Sequence, residues 1–521
     1  MFSSVNSGGL HGIDGYRIQV EADVSDGLPV FHMVGYLASE VKEAEQRVKT
    51  ALRNSGFHLE ARKVTINLSP ANIRKQGTAY DLPVAVAILA AYGELDISGV
   101  RDGAFMGELG LDGRCKPIRG ILPLVLAMKQ AGIRRCFLPA ANVCEGLAVE
   151  GIEIMKVDHL SQLVQMLSDP QKMIGESRRD MQRGSSTTGY NVDFSEIHGQ
   201  RMPRRATEVA VAGQHNILYI GPPGSGKSMI ARRIPTIMPS LSREEQLEIS
   251  KVYSVCGMLP AGNALIHTRP FRAPHHTISP QALTGGGRIP RPGEISLASR
   301  GVLFLDELPE FQKCTLEILR QPMEEHQITI SRLYGSVEFP AQFMLAAAMN
   351  PCPCGYYPDY DRCSCSEWQI RHYLGKISRP LLDRIDVCVE SEPVAYEDLK
   401  RTDQNESSSQ IRCRVERARE IQRARFLGRQ IFFNAQMSAQ DIRLFCVLSP
   451  EDDLLMQQIF RQMRLSARGC HRILRVARTI ADLDGSDQIG RAHLCEAVSY
   501  RSLEEKYWGR SGYSENECRR V

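Results

Sequence analysis

Residues 221–228, with the sequence Gly-Pro-Pro-Gly-Ser-Gly-Lys-Ser, match the pattern G-x-x-x-x-G-K-[ST] of a phosphate-binding loop. An apolar run at 216–220 precedes them and a helix-forming segment follows, which is the order that such a loop requires. Glycines let backbone N–H groups face phosphate oxygens, while Lys227 would neutralise the β- and γ-phosphates and Ser228 would ligate Mg²⁺. The predicted contacts with ATP are Gly221, Pro222, Pro223, Gly224, Ser225, Gly226, Lys227, Ser228 and Met229.

Two adjacent carboxylates close a second apolar run, Gly-Val-Leu-Phe-Leu-Asp-Glu at 301–307. Asp306 should hold Mg²⁺ through water. Glu307 should polarise the attacking water, because phosphoryl transfer depends on a positioned nucleophile more than on covalent help. Alone, such a run is equally a plain strand end, but together with the phosphate-binding loop it predicts nucleotide hydrolysis.

Three further polar residues are candidates for contact with the γ-phosphate or the lytic water. Asn350 follows the apolar run 344–349, so its amide would lie at the carboxyl end of a strand, where ligands bind in parallel sheets. A turn-forming role is the alternative. Arg384 and Arg468 would stabilise charge on the γ-phosphate, and an arginine finger comes from a neighbouring subunit, which implies a ring. Solvated surface positions are the alternative for both arginines.

Four of the 15 cysteines form two C-x-C pairs, Cys352 with Cys354 and Cys363 with Cys365. Four thiolates that converge from two short loops would satisfy tetrahedral Zn²⁺, and such a site would be structural because no ligand position stays open. The spacing is tighter than the usual C-x₂₋₄-C, so four ordinary reduced thiols are the alternative.

A cationic, Gly- and Pro-rich stretch follows at 269–291, and Arg332 lies in a predicted hairpin between 330 and 337. Cationic loops that face a pore can follow a phosphate backbone without reading bases. The candidate DNA contacts are Arg269, Arg272, His275, His276, Arg288, Arg291 and Arg332. Charge alone equally fits solvated loops or subunit contacts, and the net charge of +4 is too small to decide.

Length and patterning indicate how these residues are positioned. A chain of 521 residues predicts two or three domains. The polar stretch 169–190 reads as a linker between an α+β domain at 1–168 and a nucleotide-binding core at 191–392, and amphipathic helices at 393–521 predict a helical lid. No apolar run is long enough for a membrane span and no secretory signal opens the chain, so we expect a cytoplasmic protein.

The motifs as a set resemble the magnesium-chelatase-like AAA+ family, most closely its bacterial ComM/YifB branch. Strings such as Arg-Pro-Phe-Arg-Ala-Pro-His-His-Thr-Ile-Ser at 269–279 and Asn-Pro-Cys-Pro-Cys-Gly at 350–355 are more specific than a P-loop alone. The other matching stretches are 199–200, 221–228, 283–287, 292–298, 301–311, 378–386 and 477–483. Ser299 departs from the pattern, since relatives usually have histidine there.

The order of strand, Gly-rich loop, helix and acidic-ended strand predicts a doubly wound parallel α/β sheet. The resemblance implies the same core with a helical lid, and a ring-forming ATPase that is a homo-hexamer. It implies Asn350 as first sensor, Arg384 as the finger in trans and Arg468 as second sensor. It also implies that 269–297 contains an insertion in the second helix that projects toward the pore, and this favours DNA for the cationic loops.

The N-terminal domain resembles the fold shared by ribosomal protein S5 and the protease domain of Lon. Residues 107–113 and 117–120 resemble the Lon stretch that leads to its catalytic lysine. Here the lysine position reads Leu124, and the serine region reads Gly-Thr-Ala-Tyr-Asp at 77–81. A Ser-Lys dyad needs both a hydroxyl and an amine. We therefore expect a binding or assembly role for this domain, without peptidase activity.

The combined hypothesis is an ATP-driven helicase or translocase that acts on single-stranded or branched DNA without sequence preference. By its resemblance, it would promote branch migration of recombination intermediates during natural transformation, with recombination proteins as candidate partners. A MoxR-like protein-remodelling chaperone and a metal-chelatase ATPase subunit are the alternatives.

Overall fold

The computed structural model describes residues 1–96, 100–169, 190–260, 262, 264–332, 335–394, 396 and 405–509. Residues 170–189, most of the predicted linker, lie outside this set, as do residues 510–521 of the predicted lid. Within the described ranges, no helix is both long and apolar enough to cross a bilayer.

The N-terminal unit is a mixed β-sheet covered by helices. Its strands are β1 Phe2–His11, β2 Asp14–Ser25, β3 Phe31–Val34, β4 Lys63–Ser69, β5 Gly103–Phe105, β6 Glu108–Leu109, β7 Cys115–Lys116, β8 Arg135–Pro139 and β9 Glu153–Val157. Its helices are α1 Ser39–Lys42, α2 Ala44–Asn54, α3 Asp81–Tyr92, α4 Ile121–Gln130, α5 Val143–Gly146 and α6 Leu160–Ser168. Among the described strands, the main sheet has the order β3-β4-β2-β1-β5-β8-β9. Residues 81–91 of α3 are all buried, because this apolar helix packs across β1 and β2.

The central unit is built on a parallel sheet. Its strands and hairpin strands are β10 Ile217–Ile220, β11 Phe271–Arg272, β12 Gly285–Gly286, β13 Arg291–Pro292, β14 Val302–Leu305, β15 Gln327–Arg332, β16 Gly335–Pro340, β17 Met344–Met349 and β18 Val387–Glu390. Its helices are α7 Arg201–Gly213, α8 Lys227–Ile237, α9 Arg243–Cys256, α10 Pro280–Thr284, α11 Glu294–Leu297, α12 Lys313–Ile318, α13 Arg320–Glu325, α14 Glu367–Leu374 and α15 Arg379–Leu382. In the described chain the sheet order is β11-β14-β17-β10-β18, with every pairing parallel.

The short apolar strands of this sheet are buried on both faces, as a parallel sheet requires. Ile217 and Tyr219 of β10 face a cluster that includes Ile230 of α8, whereas Leu218 and Ile220 face the opposite cluster. The predicted doubly wound α/β arrangement is therefore confirmed.

Five described helices follow the sheet, namely α16 Ser408–Arg425, α17 Ala439–Phe445, α18 Pro450–Gln462, α19 Ala467–Leu483 and α20 Arg491–Trp508. Apolar residues of α19 such as Ile473 and Val476 share a buried cluster with Val387 of the sheet. Fully buried His215 joins the two units, since Nδ1 lies 3.1 Å from Asp386 and Nε2 lies 2.9 Å from Thr479.

The N-terminal unit lies against the central unit through α4 and the turn between β1 and β2. The backbone N–H of Gly120 donates to the carbonyl of Ser254 at 3.2 Å, at the end of α9. His11 Nε2 lies 3.3 Å from the carbonyl of Ser336, in the hairpin of β15 and β16. The first domain therefore contacts one of the two hairpins that carry predicted DNA contacts.

Candidate active site

The P-loop connects the carboxyl end of β10 to the first turn of α8. Gly224 and Gly226 adopt φ values of +76° and +82°, a region that residues with a Cβ rarely occupy. A Cβ at Gly221 would lie 2.1 Å from the carbonyl oxygen of Ser391, so the loop also needs glycine where it passes the chain after β18. The sequence thus folds into a loop whose N–H groups and helix terminus suit phosphate.

Lys227 is the buried cation of this loop, with 8% of its surface exposed. Its Nζ donates to the carbonyls of Gly221 at 2.7 Å and Pro222 at 2.8 Å, and to Asn350 Oδ1 at 3.2 Å. Burial lowers the pKa of Lys227 to about 8, and the charge of Asp306 offsets part of this effect. The ammonium group therefore lies where it can pair with phosphate, beside the predicted first sensor.

Ser228 and Asp306 form the predicted Mg²⁺ pair. The Ser228 hydroxyl donates to Asp306 Oδ2 at 2.6 Å, and the backbone N–H of Glu307 donates to Asp306 Oδ1 at 3.0 Å. A hydroxyl and a carboxylate at the mouth of the P-loop are hard oxygen ligands of the kind that Mg²⁺ prefers. The residues present thus fit the ion.

Glu307 has a left-handed backbone, with φ of +52°, which is unusual for a residue with a side chain. Its Oε2 lies 3.3 Å from Nδ1 of His276, and its side chain is 59% exposed. His276 in turn packs against His275, with ring centroids 4.0 Å apart. The structure thus places His276 beside Glu307, which is predicted to polarise the lytic water, although the cationic stretch 269–291 predicts that His276 contacts DNA.

Arg384 and Arg468 lie together where the parallel strands begin, which we call the amino edge of the sheet. The P-loop of the same chain lies where the strands end, which we call the carboxyl edge. Both line a cavity of about 500 Å³ that is also lined by Asn216, Phe343 and Asp386. These three residues immediately precede strands β10, β17 and β18, whereas the P-loop and Asn350 follow strands.

The Arg384 side chain is only 13% exposed, donates to the carbonyl of Pro380 at 2.6 Å and pairs with Glu324. Arg468 is exposed in the first turn of α19. Neither arginine can therefore reach a nucleotide on the P-loop of its own chain without crossing the sheet.

The candidate DNA contacts divide into two groups. Arg269 is an interior residue, because its side chain is 9% exposed, donates to the carbonyls of Pro239 and Arg300 and pairs with Glu245 at 3.2 Å. Arg272 forms a two-point ion pair with Glu294 at 2.6 and 2.7 Å. Both side chains are therefore held by groups of the protein itself, and their contact with DNA stays a prediction.

Three of the exposed members of the set lie on adjacent hairpins. Arg288 and Arg291 are exposed in the hairpin of β12 and β13, whereas exposed His275 stacks on His276 beside Glu307. Arg332 is exposed on the hairpin of β15 and β16, and its Nε donates to the carbonyl of Gly287 at 3.4 Å. The two hairpins therefore lie in contact, and we call the surface that carries Arg288, Arg291 and Arg332 the paired-hairpin surface.

The four predicted zinc ligands converge. The sulfur atoms of Cys352, Cys354, Cys363 and Cys365 all lie within 4.8 Å of one another. Three of the separations are 3.3, 3.5 and 3.7 Å. Tetrahedral ligands at the usual Zn–S distance of about 2.3 Å would be about 3.8 Å apart, so the set fits Zn²⁺.

In the N-terminal unit, position 124 is a leucine buried in an apolar cluster. The Thr78 hydroxyl donates to Glu108 Oε2 at 2.5 Å. A buried amine does lie elsewhere, since Lys75 Nζ donates to the carbonyls of Pro70 and Ile73, the latter at 2.9 Å. This lysine holds a loop, and the absence of peptidase activity stays a prediction.

Sequence reasoning gave no role to Gln200, which the structure places at the P-loop. Its Nε2 donates to the carbonyl of Ser225 at 3.1 Å and to that of Glu392. Its backbone is left-handed, with φ of +52°. The Gly-Gln pair at 199–200 was one of the matching stretches, so the signal was present without a stated function.

Comparison with known proteins agrees with this architecture. Residues 193–399 match the family described as "Magnesium chelatase, subunit ChlI", residues 20–142 match "Subunit ChlI of Mg-chelatase" and residues 405–501 match "Magnesium chelatase, subunit ChlI C-terminal". Together with the parallel sheet and the P-loop, these matches define a magnesium-chelatase-like AAA+ protein.

Relatives that match over nearly the whole chain identify its family within this class. The chain is 40% identical over 497 residues to Competence protein ComM of Haemophilus influenzae, covering 94% of this chain and 96% of that protein. It is 40% identical over 508 residues to Uncharacterized protein YifB of Escherichia coli, covering 96% and 97%. The chain belongs to the ComM/YifB family, as its motifs predicted. It is also 25% identical over 182 residues to Archaeal Lon protease of Methanocaldococcus jannaschii, covering 33% of this chain and 28% of that protein.

Proposed function

We propose that this chain hydrolyses ATP in a homo-hexameric ring and uses the energy to move along DNA during branch migration of recombination intermediates. The observation that carries the proposal is the separation of Lys227, Asp306 and Glu307 from Arg384 and Arg468 across the sheet. A ring places the carboxyl edge of one subunit against the amino edge of the next, so that each site receives arginines from its neighbour.

Within one site the residues have distinct tasks. The P-loop and Lys227 bind the β- and γ-phosphates, and Asn350, which accepts a hydrogen bond from Lys227, would orient the lytic water. When bound, Mg²⁺ neutralises phosphate charge, and Ser228 and Asp306 are placed to hold it. Glu307 must leave His276 before its carboxylate can orient the attacking water. Arg384 from the neighbour would stabilise the charge that develops on the γ-phosphate.

The paired-hairpin surface supports DNA as the partner. Arg288, Arg291 and Arg332 are exposed there, on two-stranded hairpins that are separate from the parallel sheet. Exposed guanidinium groups can pair with a phosphate backbone without reading bases, which fits a motor that works on any sequence. Kinship with a protein named Competence protein ComM supports a role in the uptake and integration of transforming DNA.

The test is ATP hydrolysis by the purified chain with no DNA, single-stranded DNA, forked DNA and three-stranded intermediates. We expect hydrolysis to rise with DNA and labelled strands to exchange in the branched substrates. If neither hydrolysis nor strand exchange depended on DNA, the proposal would fail. Stimulation by a protein client or by a porphyrin instead would point to a chaperone or a chelatase.

A paired variant tests the DNA surface. Replacing Arg288 and Arg332 with serine should lower the slope of log affinity against log salt for single-stranded DNA by about 1.4, because each phosphate contact contributes about 0.7. Replacement of exposed Arg423, which lies on lid helix α16, is the matched control. An unchanged slope in the double variant would place DNA elsewhere.

A further inference from the structure

The C-x-C loop starts at the nucleotide site. Asn350 accepts a hydrogen bond from Lys227 at 3.2 Å, and Cys352 follows only two residues later. Cys352 is fully buried, and its sulfur accepts hydrogen bonds from the backbone N–H groups of Gly355 at 3.2 Å and Tyr357 at 3.4 Å. Such N–H···S bonds orient metal-binding thiolates. The position of the sulfur and the position of the sensor amide are therefore coupled through a very short piece of chain.

The same loop touches the P-loop directly. A Cβ at Gly355 would lie 2.5 Å from Cδ of Pro223, so the backbone of the cysteine loop packs closely against the Pro223 ring at a glycine with φ of +89°. A second link is the hydrogen bond of 3.2 Å from the N–H of Gly221 to the carbonyl of Met349. The cysteine loop thus forms one wall of the phosphate site.

The loop also reaches the lid. The rings of Tyr357 and Tyr507 meet edge to face with centroids 6.2 Å apart, and the Tyr507 hydroxyl donates to Glu390 at 2.8 Å. Tyr507 lies near the end of α20, the last described helix of the lid. A change in the conformation of the loop would therefore alter its contacts with both the P-loop and the lid.

We propose that Cys352, Cys354, Cys363 and Cys365 bind one Zn²⁺. The zinc-bound loop lines the ATP site and holds Asn350 and the P-loop in position. The inference rests on the proposed ATPase function. Four sulfur atoms within 4.8 Å form a complete tetrahedral set, which needs no further ligand. Metal binding would fix a short loop that has little regular structure of its own. It would thereby also fix the contact of Asn350 with Lys227 and that of Gly355 with Pro223.

The first measurement is the zinc content of the full-length chain, by atomic emission, after purification without added metal or chelator. We expect about one zinc per chain, and about none in a Cys363→Ser, Cys365→Ser double variant. Cys413→Ser, at an exposed cysteine of lid helix α16, is the matched control and should keep its zinc. A chain that contains no zinc after expression in zinc-supplemented cells would overturn the site.

The second measurement is the affinity for a fluorescent ATP analogue together with basal turnover in the absence of DNA. Zinc-free protein should lose about tenfold or more in affinity or turnover, the range found when support for a site is removed. Because cysteine variants can misfold, the wild-type chain is also treated with a zinc chelator, and added Zn²⁺ should restore both values. Metal loss without change in either value would overturn the coupling between the loop and the ATP site.

These outcomes are distinct from those that test the motor itself. Zinc content and analogue binding need neither DNA nor strand exchange. A chain that exchanges DNA strands but holds no zinc would refute this inference alone, whereas a zinc-loaded chain without ATPase activity would refute the proposed function.

Discussion

The two edges of the central sheet differ in what they contain. At the carboxyl edge, Lys227, Ser228 and Asp306 are already linked by short hydrogen bonds or charge, next to Asn350 and Glu307. At the amino edge, Arg384 and Arg468 line a cavity of about 500 Å³ together with Asp383 and Asp386. Under the proposed function, the carboxyl edge binds and orients the nucleotide, and the arginines of the amino edge act on a nucleotide bound by a neighbouring subunit.

This difference has a consequence for assembly. Under the proposed function, a single subunit would bind ATP but keep its arginines on the far side of the sheet, so efficient hydrolysis would need a second chain. Closed rings bring unlike edges together at every interface. The proposal therefore predicts that ATP turnover depends on oligomerisation, and this dependence can be tested from either edge.

The largest effect should come from the amino edge. Arg384→Ala should lower kcat for ATP about 10³-fold, because an arginine finger contributes this much to stabilisation of the transferring phosphoryl group. Binding of an ATP analogue to the isolated subunit should be unchanged. Arg423→Ala, on the exposed face of α16, is the control for loss of a cation. Nearly normal turnover in Arg384→Ala would show that the amino edge is not catalytic.

Loss of Glu307, the predicted general base at the carboxyl edge, should have a somewhat smaller effect on turnover. Glu307→Gln should lower kcat about 10²-fold, since general-base catalysis contributes at least this much, while ATP remains bound. Rapid quench of a single turnover with labelled ATP measures the chemical step. Turnover at the rate of the parent would remove Glu307 from the mechanism.

The buried ammonium group of Lys227 predicts that the affinity for ATP at the carboxyl edge depends on pH. Lys227 has a pKa of about 8 because burial disfavours its charged form. Protonated lysine binds phosphate, so affinity should be full below that pKa and should fall about tenfold between pH 7 and pH 9 as the proton is lost. Titration of a fluorescent ATP analogue into Glu307→Gln avoids interference from hydrolysis. An affinity that stays constant across this range would contradict the assignment.

The smallest effect concerns stability at the amino edge. Burial raises the pKa of Asp386, but the hydrogen bond to His215 and the charges of Arg475 and Arg472 outweigh burial and lower it to about 2. The unfolded value is higher, so this stabilisation is present above about pH 4 and is lost as the pH falls towards 2. His215→Ala should cost about 1 kcal/mol in the free energy of unfolding at pH 7, since it removes one hydrogen bond from a buried carboxylate that keeps Arg475 as a partner. Urea unfolding measures it, with exposed His267→Ala as control. No loss of stability in His215→Ala would contradict this account.

Much of the carboxyl edge could be predicted from sequence because the residues of each motif lie close together along the chain. The P-loop, the apolar strands before Asp306 and Asn350, and the glycines with left-handed backbone are encoded within a few residues of one another. The C-x-C pairs also lie close along the chain, so their convergence followed from spacing. The roles assigned to these residues remain predictions, although the structure brings the residues together.

The features that sequence could not give depend on distant contacts. Arg269 looked like a free cation, but Glu245 and two backbone carbonyls enclose it. The pairing of His276 with Glu307 joins two segments that are separate in sequence, as does the contact of Gly355 with Pro223. The charge and spacing of residues do not show on which side of the sheet a loop lies. That position decides whether an arginine supports the fold, acts as an arginine finger or contacts DNA.

The most direct test of the shared site mixes two inactive subunits. Lys227→Ala removes nucleotide binding but keeps the arginine edge, and Arg384→Ala removes the finger but keeps the P-loop. Random mixing in equal amounts pairs an intact P-loop with an intact finger at about a quarter of the interfaces, so turnover should recover to about a quarter of that of the parent. A mixture no more active than the average of the two variants would show that the ATP site is not divided between subunits.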